Sequence, residues 1–390
     1  MKRILFLLCL LGIANIVVAQ NNYTWVLDSL RHNSPAFLSL SSQRQADKAN
    51  ISVRHLFDDP TIEAAYYWGS PNEIGHRWDL SVSQSFDMPS VYINKNRSFN
   101  YADLLTDNNY EVQLAQLLYK AQTICSDIVY HNAFIRLYSC CVDNARHVAD
   151  LYQKRFDVGD CNILDYNRAQ MAFAEISNKL AIAQSERDIA YYELTALNGG
   201  TPISFDLDHF DSVTIPESIV LMETDSAPQL KMLYNKTQYS SAEVSVAQSQ
   251  WLPKVSLGYA SENIVGETFR GVTLGLNLPL WQQKGSVKAA KASHTASQQD
   301  YHRAYSEFVN HQKGLLQKAK SLQQSYNNLV RIFNTFNSEQ LLLKALNAGE
   351  ISLEYYLQSI NFYYDSQINM LNIQHDLERT LLELNAPYLK

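Results

Sequence analysis

The stretch WLPKVSLGYASENIVGETFRGVTLGLNLPL, Trp251–Leu280, decides the fold. From Val255 the apolar residues take every second place, as Val255, Leu257 and Tyr259, with Lys254, Ser256, Gly258 and Ala260 between them. After a polar turn the alternation resumes in Val272, Leu274, Leu276 and Leu278, against Gly271, Thr273, Gly275 and Asn277. Two adjacent runs of period two predict a β-hairpin with one apolar face. A lone hairpin does not hold itself together in water, so that face needs a cover.

Upstream, a second hairpin of the same kind is predicted. Ile62, Ala64, Tyr66 and Trp68 alternate with polar or small residues, Gly69-Ser70-Pro71-Asn72 supplies a turn, and Trp78, Leu80, Val82 and Phe86 follow. Trp68, Trp78, Tyr66, Tyr259 and Phe269 are expected on the apolar faces, as interfacial aromatics. The rest of the chain reads as helix. Tyr23–Phe57 forms one helix with Pro35 near its start. Between Ser90 and Val158 there is neither proline nor glycine, which permits one helix of about 65 residues and roughly 100 Å. Phe156–Asp160 breaks it at Gly159, and Asn162 can cap the next helix, which runs to Asn198 before Gly199-Gly200. A helix from Ala227-Pro228 leads into the second hairpin. A further long helix is expected over Gln282–Asn347, containing Gly285 and Gly314. Ala348-Gly349-Glu350 ends it, and Ser352 caps a last helix to Asn385.

The landmarks repeat. Pro35 and Pro228, Pro60 and Pro253, and Gln84 and Asn277 are each 193 residues apart, and Gly159 and Gly349 are 190 apart. The chain is therefore an internal duplication: residues 1–19 a signal peptide, 20–200 a first repeat, 201–227 a connector and 228–390 a second repeat. The hairpins lie at about 60–86 and 253–279, and the turns between long helices at about 156–162 and 346–352. The signal peptide is read from Lys2-Arg3, the apolar run to Val18 and the small residue Ala19.

Two hairpins give four strands with apolar outer faces. Strands of this length match a bilayer, but lipid demands a closed barrel, and the smallest barrels use about eight strands. Closure needs several chains, and three copies supply about twelve strands. Thr61, Glu63, Asp79, Ser81, Ser83, Lys254, Ser256, Thr273 and Asn277 suit a wet interior. Apolar stripes along the long helices (Leu114, Leu118, Ala121, Ile128; Leu315, Ala319, Leu322, Ile332) predict side-by-side coiled-coil packing.

A formal charge of −7 and a pI near 5.8 argue against a nucleic-acid partner. No phosphate loop, nucleophile elbow or clustered acid–base pair points to an enzyme. The cysteines show no ligand spacing, and His294, His302 and His311 drift around one helix. Neither a metal site nor a cofactor is expected.

These residues resemble the TolC family of outer-membrane efflux proteins over nearly the whole chain. The resemblance is carried by Leu252-Pro253-Lys254-Val255-Ser256-Leu257-Gly258-Tyr259, Asn33-Ser34-Pro35-Ala36, Ser83-Gln84-Ser85-Phe86 and the segments Phe156–Gln170 and Leu346–Ile360. Asp59-Pro60-Thr61-Ile62 and Ser83–Phe86 are similar to the cation-efflux branch (CzcC- and CusC-like). The resemblance implies a mainly α fold with membrane β: a homotrimer whose twelve-stranded barrel sits in outer-membrane lipid and continues into a periplasmic α-helical barrel. It implies a passive exit duct fed by an inner-membrane pump, of RND type, through a periplasmic adaptor, with metal cations as one cargo. Val158, Gly159, Asp160, Ala348, Gly349 and Glu350 would be the adaptor-docking tips. Asp165, Glu350, Glu354 and Tyr355 are candidates for the aperture. Alternatives are a duct for drugs or type I protein secretion, or, in a different class, a periplasmic coiled-coil scaffold or adaptor. An adaptor would carry one helical hairpin flanked by small β domains, where this chain has two hairpin-plus-helix copies.

Overall fold

The computed structural model describes residues 24–53, 57–210, 227–281, 283–335 and 339–389. The predicted signal peptide and most of the predicted connector lie outside the described residues. About 74% of the described residues are helical. The elements are α1 (Thr24–Asn33), α2 (Pro35–Val53), β1 (Thr61–Trp68), β2 (His76–Phe86), α3 (Pro89–Asp157), α4 (Ile163–Leu197), α5 (Pro228–Ser249), β3 (Lys254–Ile264), β4 (Glu267–Asn277), α6 (Ser286–Thr335), α7 (Glu339–Asn347) and α8 (Leu353–Asn385). The order helix, two strands, long helix, turn, helix occurs twice.

Two expected helices differ in detail. The helix expected over 23–57 is two, because Pro35 offers no amide hydrogen to the turn before it and the chain restarts there as α2. The helix expected from Gln282 begins at Ser286 instead, with Gly285 ahead of it at φ +88°. That left-handed conformation cannot continue a right-handed helix. Gly314 sits inside α6 as expected, and residues 336–338, between α6 and α7, lie outside the described residues.

The chain divides into two compact units. One comprises the described residues within Leu38–Ala115 and Leu221–Gln312; the other comprises those within Met1–Phe37, Gln116–Val220 and Lys313–Leu389.

The first unit holds the sheet. Its four strands run antiparallel in the order β1-β2-β3-β4, so the two hairpins join through β2 and β3, with Val82 opposite Tyr259. β1 and β4 are the edges. The register puts Ile62, Val82, Tyr259 and Val272 in one row across all four strands. On that face Ile62 is 69% exposed, Val272 81% and Leu274 71%. The opposite face carries Glu63, Arg77, Asp79, Ser81, Ser83, Ser256, Glu262 and Thr273, with Arg77 bridging Asp79 and Glu262. Phe269 corrects an expectation: it lies opposite Glu262 and hence on this polar face. The β3–β4 turn is only Val265-Gly266, which fixes the parity of β4.

Both turn residues have positive φ, +46° at Val265 and +88° at Gly266, as a two-residue hairpin turn of the mirror-image type requires. A β-branched residue is strained there, whereas asparagine tolerates it. Val265→Asn is therefore expected to stabilise the hairpin by about 1 kcal/mol, seen as a higher dissociation temperature of the assembled protein on gels.

Helices brace the base of this unit. Arg44 and Lys48 of α2 pair with Asp107 of α3 at 2.7 and 2.9 Å. Asn94 and Ser98 of α3 bond the Ser245 carbonyl and Glu243 of α5.

The second unit packs helix on helix. Leu118, Ala121, Ile124, Ile128 and Val129 of α3 are buried, as are Leu315 and Ala319 of α6, whereas Ile332 is 49% exposed. Cys125 and Cys141 are buried thiols, each pushed up to about 12, first of all by burial, so neither is a reactive thiolate at neutral pH. Among the described residues no helix is long and apolar enough to cross a membrane.

Candidate functional site at the helical turns

The six residues expected at the tips form two turns with one geometry. At the end of α3, Gly159 N–H donates to the Phe156 carbonyl at 2.9 Å and Asp160 N–H to the Arg155 carbonyl at 2.7 Å. At the end of α7, Gly349 N–H donates to Leu346 at 3.0 Å and Glu350 N–H to Ala345 at 2.9 Å. This bond pair is the Schellman motif, which needs a left-handed residue at its centre. Gly159 has φ +76° and Gly349 φ +74°. Neither glycine is there for space, because a Cβ at either would meet nothing within 4 Å. Both turns end in a cap at the same spacing. The Asn162 side chain accepts from Asp165 N–H at 2.8 Å, and Ser352 Oγ accepts from Tyr355 N–H at 3.2 Å.

The turns are solvent-facing and rest on a common core. Val158 is 78% exposed, and Gly159, Asp160, Ala348, Gly349 and Glu350 are exposed too. Behind them Val148 and Tyr152 of α3, Ala169 of α4, Leu346 of α7, and Leu353, Tyr356, Ile360 and Tyr364 of α8 form one buried cluster. At its centre Asn144 donates to Tyr364 Oη at 2.8 Å and accepts from Tyr356 Oη at 3.1 Å, while Tyr364 donates to Glu339 at 3.1 Å. Burial pushes the Tyr356 phenol up to about 12 and raises Tyr364 further. Both phenols are neutral donors at any physiological pH.

The four aperture candidates have separate surroundings. Asp165 is half-buried and accepts from Asn162 Nδ2 at 2.8 Å, which ties it into the α4 cap. Glu354 meets Arg168 of α4 at 3.3 Å, both side chains more than half exposed. Such a surface pair contributes about 0–1 kcal/mol, so the buried cluster holds the two helix pairs together, with the ion pair a minor addition. Glu350 and Tyr355 are exposed. Arg168, Asn144, Tyr364 and Glu339 were not anticipated from sequence. Among the described residues no group of three or more His, Cys, Asp or Glu could hold a metal ion, and His294 instead bonds Ser240 at 3.0 Å.

No protein-family model matches the chain. Outer membrane protein TolC of Vibrio cholerae is 21% identical over 425 residues, covering 98% of this chain and 94% of that protein. The solved structure of CusC superposes with a TM-score of 0.78 at 14% identity, covering 93% of this chain and 90% of CusC. The fold is that of the TolC family. The outer membrane protein VceC of Vibrio cholerae agrees, with a TM-score of 0.74 at 14% identity over 94% of this chain and 95% of VceC. The TolC-type fold accounts for the paired order of elements and for turns of matching geometry at the ends of α3 and α7.

Proposed function

We propose that this chain is the protomer of a trimeric outer-membrane exit duct, the outer component of a tripartite efflux system. The observation that carries this reading is the sheet. It has one exposed apolar face, one polar face, and two edge strands with no strand partner among the described residues. An exposed apolar sheet with open edges is an aggregation hazard in water and a barrel segment in lipid. Three such segments reach about twelve strands, within the range of outer-membrane barrels. The names of the similar proteins, an outer membrane protein and a transmembrane channel, support the same reading.

In this assignment the strands cross outer-membrane lipid and the helices stand in the periplasm. Val158-Gly159-Asp160 and Ala348-Gly349-Glu350 dock a periplasmic adaptor that links the duct to an inner-membrane pump of RND type. Asp165, Glu350, Glu354 and Tyr355 line the aperture. The duct has no catalytic role. Metal cations are the cargo favoured by the Asp59–Ile62 and Ser83–Phe86 resemblance. The test is fractionation with gel mobility before and after heating. Recovery in the outer membrane as a heat-dissociable oligomer is expected, and a soluble monomer would refute the duct. For cargo, the deletion strain should become sensitive to copper, zinc or cobalt; sensitivity to drugs alone would overturn the cation assignment.

A further inference from the structure

We infer that the base of the second hairpin binds anionic phospholipid headgroups of the periplasmic leaflet, through Lys284, Lys288 and Lys291 beside Leu278, Leu280 and Trp281. This rests on the outer-membrane reading above and goes beyond it by naming a lipid class and its ligands.

The two hairpin bases differ in how their charges are matched. At the first, acid and base are matched within the protein: Asp87 meets Lys95 at 2.6 Å and Lys254 at 3.4 Å, and Lys254 also meets Asp58 at 2.7 Å. At the repeat spacing of 193 residues, Asp58, Asp59, Asp87 and Met88 correspond to Trp251, Leu252, Leu280 and Trp281. The acids have become apolar side chains, and these are exposed: Leu280 60% and Trp281 80%. The lysine was kept. Lys95 corresponds to Lys288, whose acidic partner is now a leucine.

Lys291 stands three residues after Lys288 on the same face of α6, and Lys284 sits in the turn just before that helix. All three are exposed, and among the described residues none has an ion pair or a side-chain hydrogen bond. The helix does not explain them either. Its first turn contains no acid, and cations are disfavoured at a helix N-terminus.

What explains both halves of the patch is a membrane edge. Leu278 and Leu280 continue the exposed apolar face of β4 into the acyl boundary, and a tryptophan prefers that interface. Lys284 follows in the turn, and Lys288 and Lys291 lie within about 8 Å of the start of α6, comparable with a headgroup layer. Long lysine stems reach along apolar surface while the ammonium finds a polar partner. A phosphate diester supplies the missing anion, and the adjoining apolar surface selects a lipid over a soluble ion.

Each lysine near an anionic surface is worth about fivefold in affinity. The test is native mass spectrometry of the full-length oligomer in mild detergent, with phosphatidylglycerol and phosphatidylcholine in competition. The wild type should retain phosphatidylglycerol at least about tenfold better. Lys284→Gln with Lys288→Gln and Lys291→Gln should bring the two lipids close to parity, and the triple arginine variant should keep the preference. Equal selectivity in the glutamine variant would overturn the inference. So would inorganic phosphate displacing the lipid at millimolar levels, or the glutamine variant falling apart into monomers, which would put the lysines between copies. A wild-type chain recovered as soluble monomer would refute the duct itself; a wild-type membrane oligomer without lipid preference would refute this site alone.

Discussion

Val272→Lys is expected to abolish the heat-dissociable oligomer, while Thr273→Lys, one residue away, leaves it intact. Val272 lies in the row with Ile62, Val82 and Tyr259 on the apolar face and is 81% exposed. In lipid, an ammonium near the bilayer midplane costs about 2–4 kcal/mol per chain, and every copy in the assembly bears that cost. In water the same substitution would improve solubility and cost almost nothing. The sign of the effect therefore separates a lipid-facing sheet from a solvent-facing one. Thr273 points to the face that already carries Glu63, Arg77, Asp79 and Glu262; a lysine there joins other charges. The measurement is outer-membrane yield and gel mobility of unheated samples for both variants.

The second large effect is expected at the turns. Gly159→Val together with Gly349→Val should reduce efflux to that of a deletion strain, while the protein remains an assembled oligomer. Both glycines sit at positive φ with empty space where a Cβ would go, so the Cβ of a larger residue meets no neighbour in the fold. The cost is confined to the backbone, about 1–2 kcal/mol per left-handed residue, and to whatever docks on these exposed ends. Growth on the cargo measures the second; oligomer recovery measures the first. Unchanged efflux would remove the turns from the adaptor interface.

Much of this architecture is legible in residues alone because it is local. Period two over β1–β4 needs no partner to be read, and the long glycine- and proline-free stretch of α3 has only one regular solution. The turn glycines announce themselves by following a helix and preceding a capping residue. Errors arose where one residue sets a phase. The face of Phe269 is not legible in the sequence because its parity depends on a two-residue turn, in which strained Val265 gives no signal. Gly285 reads as helical in the sequence, which does not show its positive φ.

The buried cluster behind the turns was illegible for another reason. Asn144 and Tyr364 are 220 residues apart, and Arg168 and Glu354 are 186 apart. Only the packing of one helix pair on the other makes them neighbours. Nothing local in the sequence marks the lysines at the start of α6; Lys288 stands out only once the first hairpin base shows what its counterpart Lys95 pairs with.

In the proposed duct, β1 of one copy completes the sheet by pairing with β4 of the next. Cysteine cross-linking tests this directly, in full-length protein in native membranes with Cys125 and Cys141 changed to alanine and Cys140 and Cys161 to serine. One cysteine replaces Ala65 on β1, and its partner replaces Phe269, Gly271 or Thr273 on β4, all on the polar face. A closed barrel predicts that one of the three pairs yields disulfide-linked dimers and trimers on a non-reducing gel. Chains that remain single in every combination would contradict it.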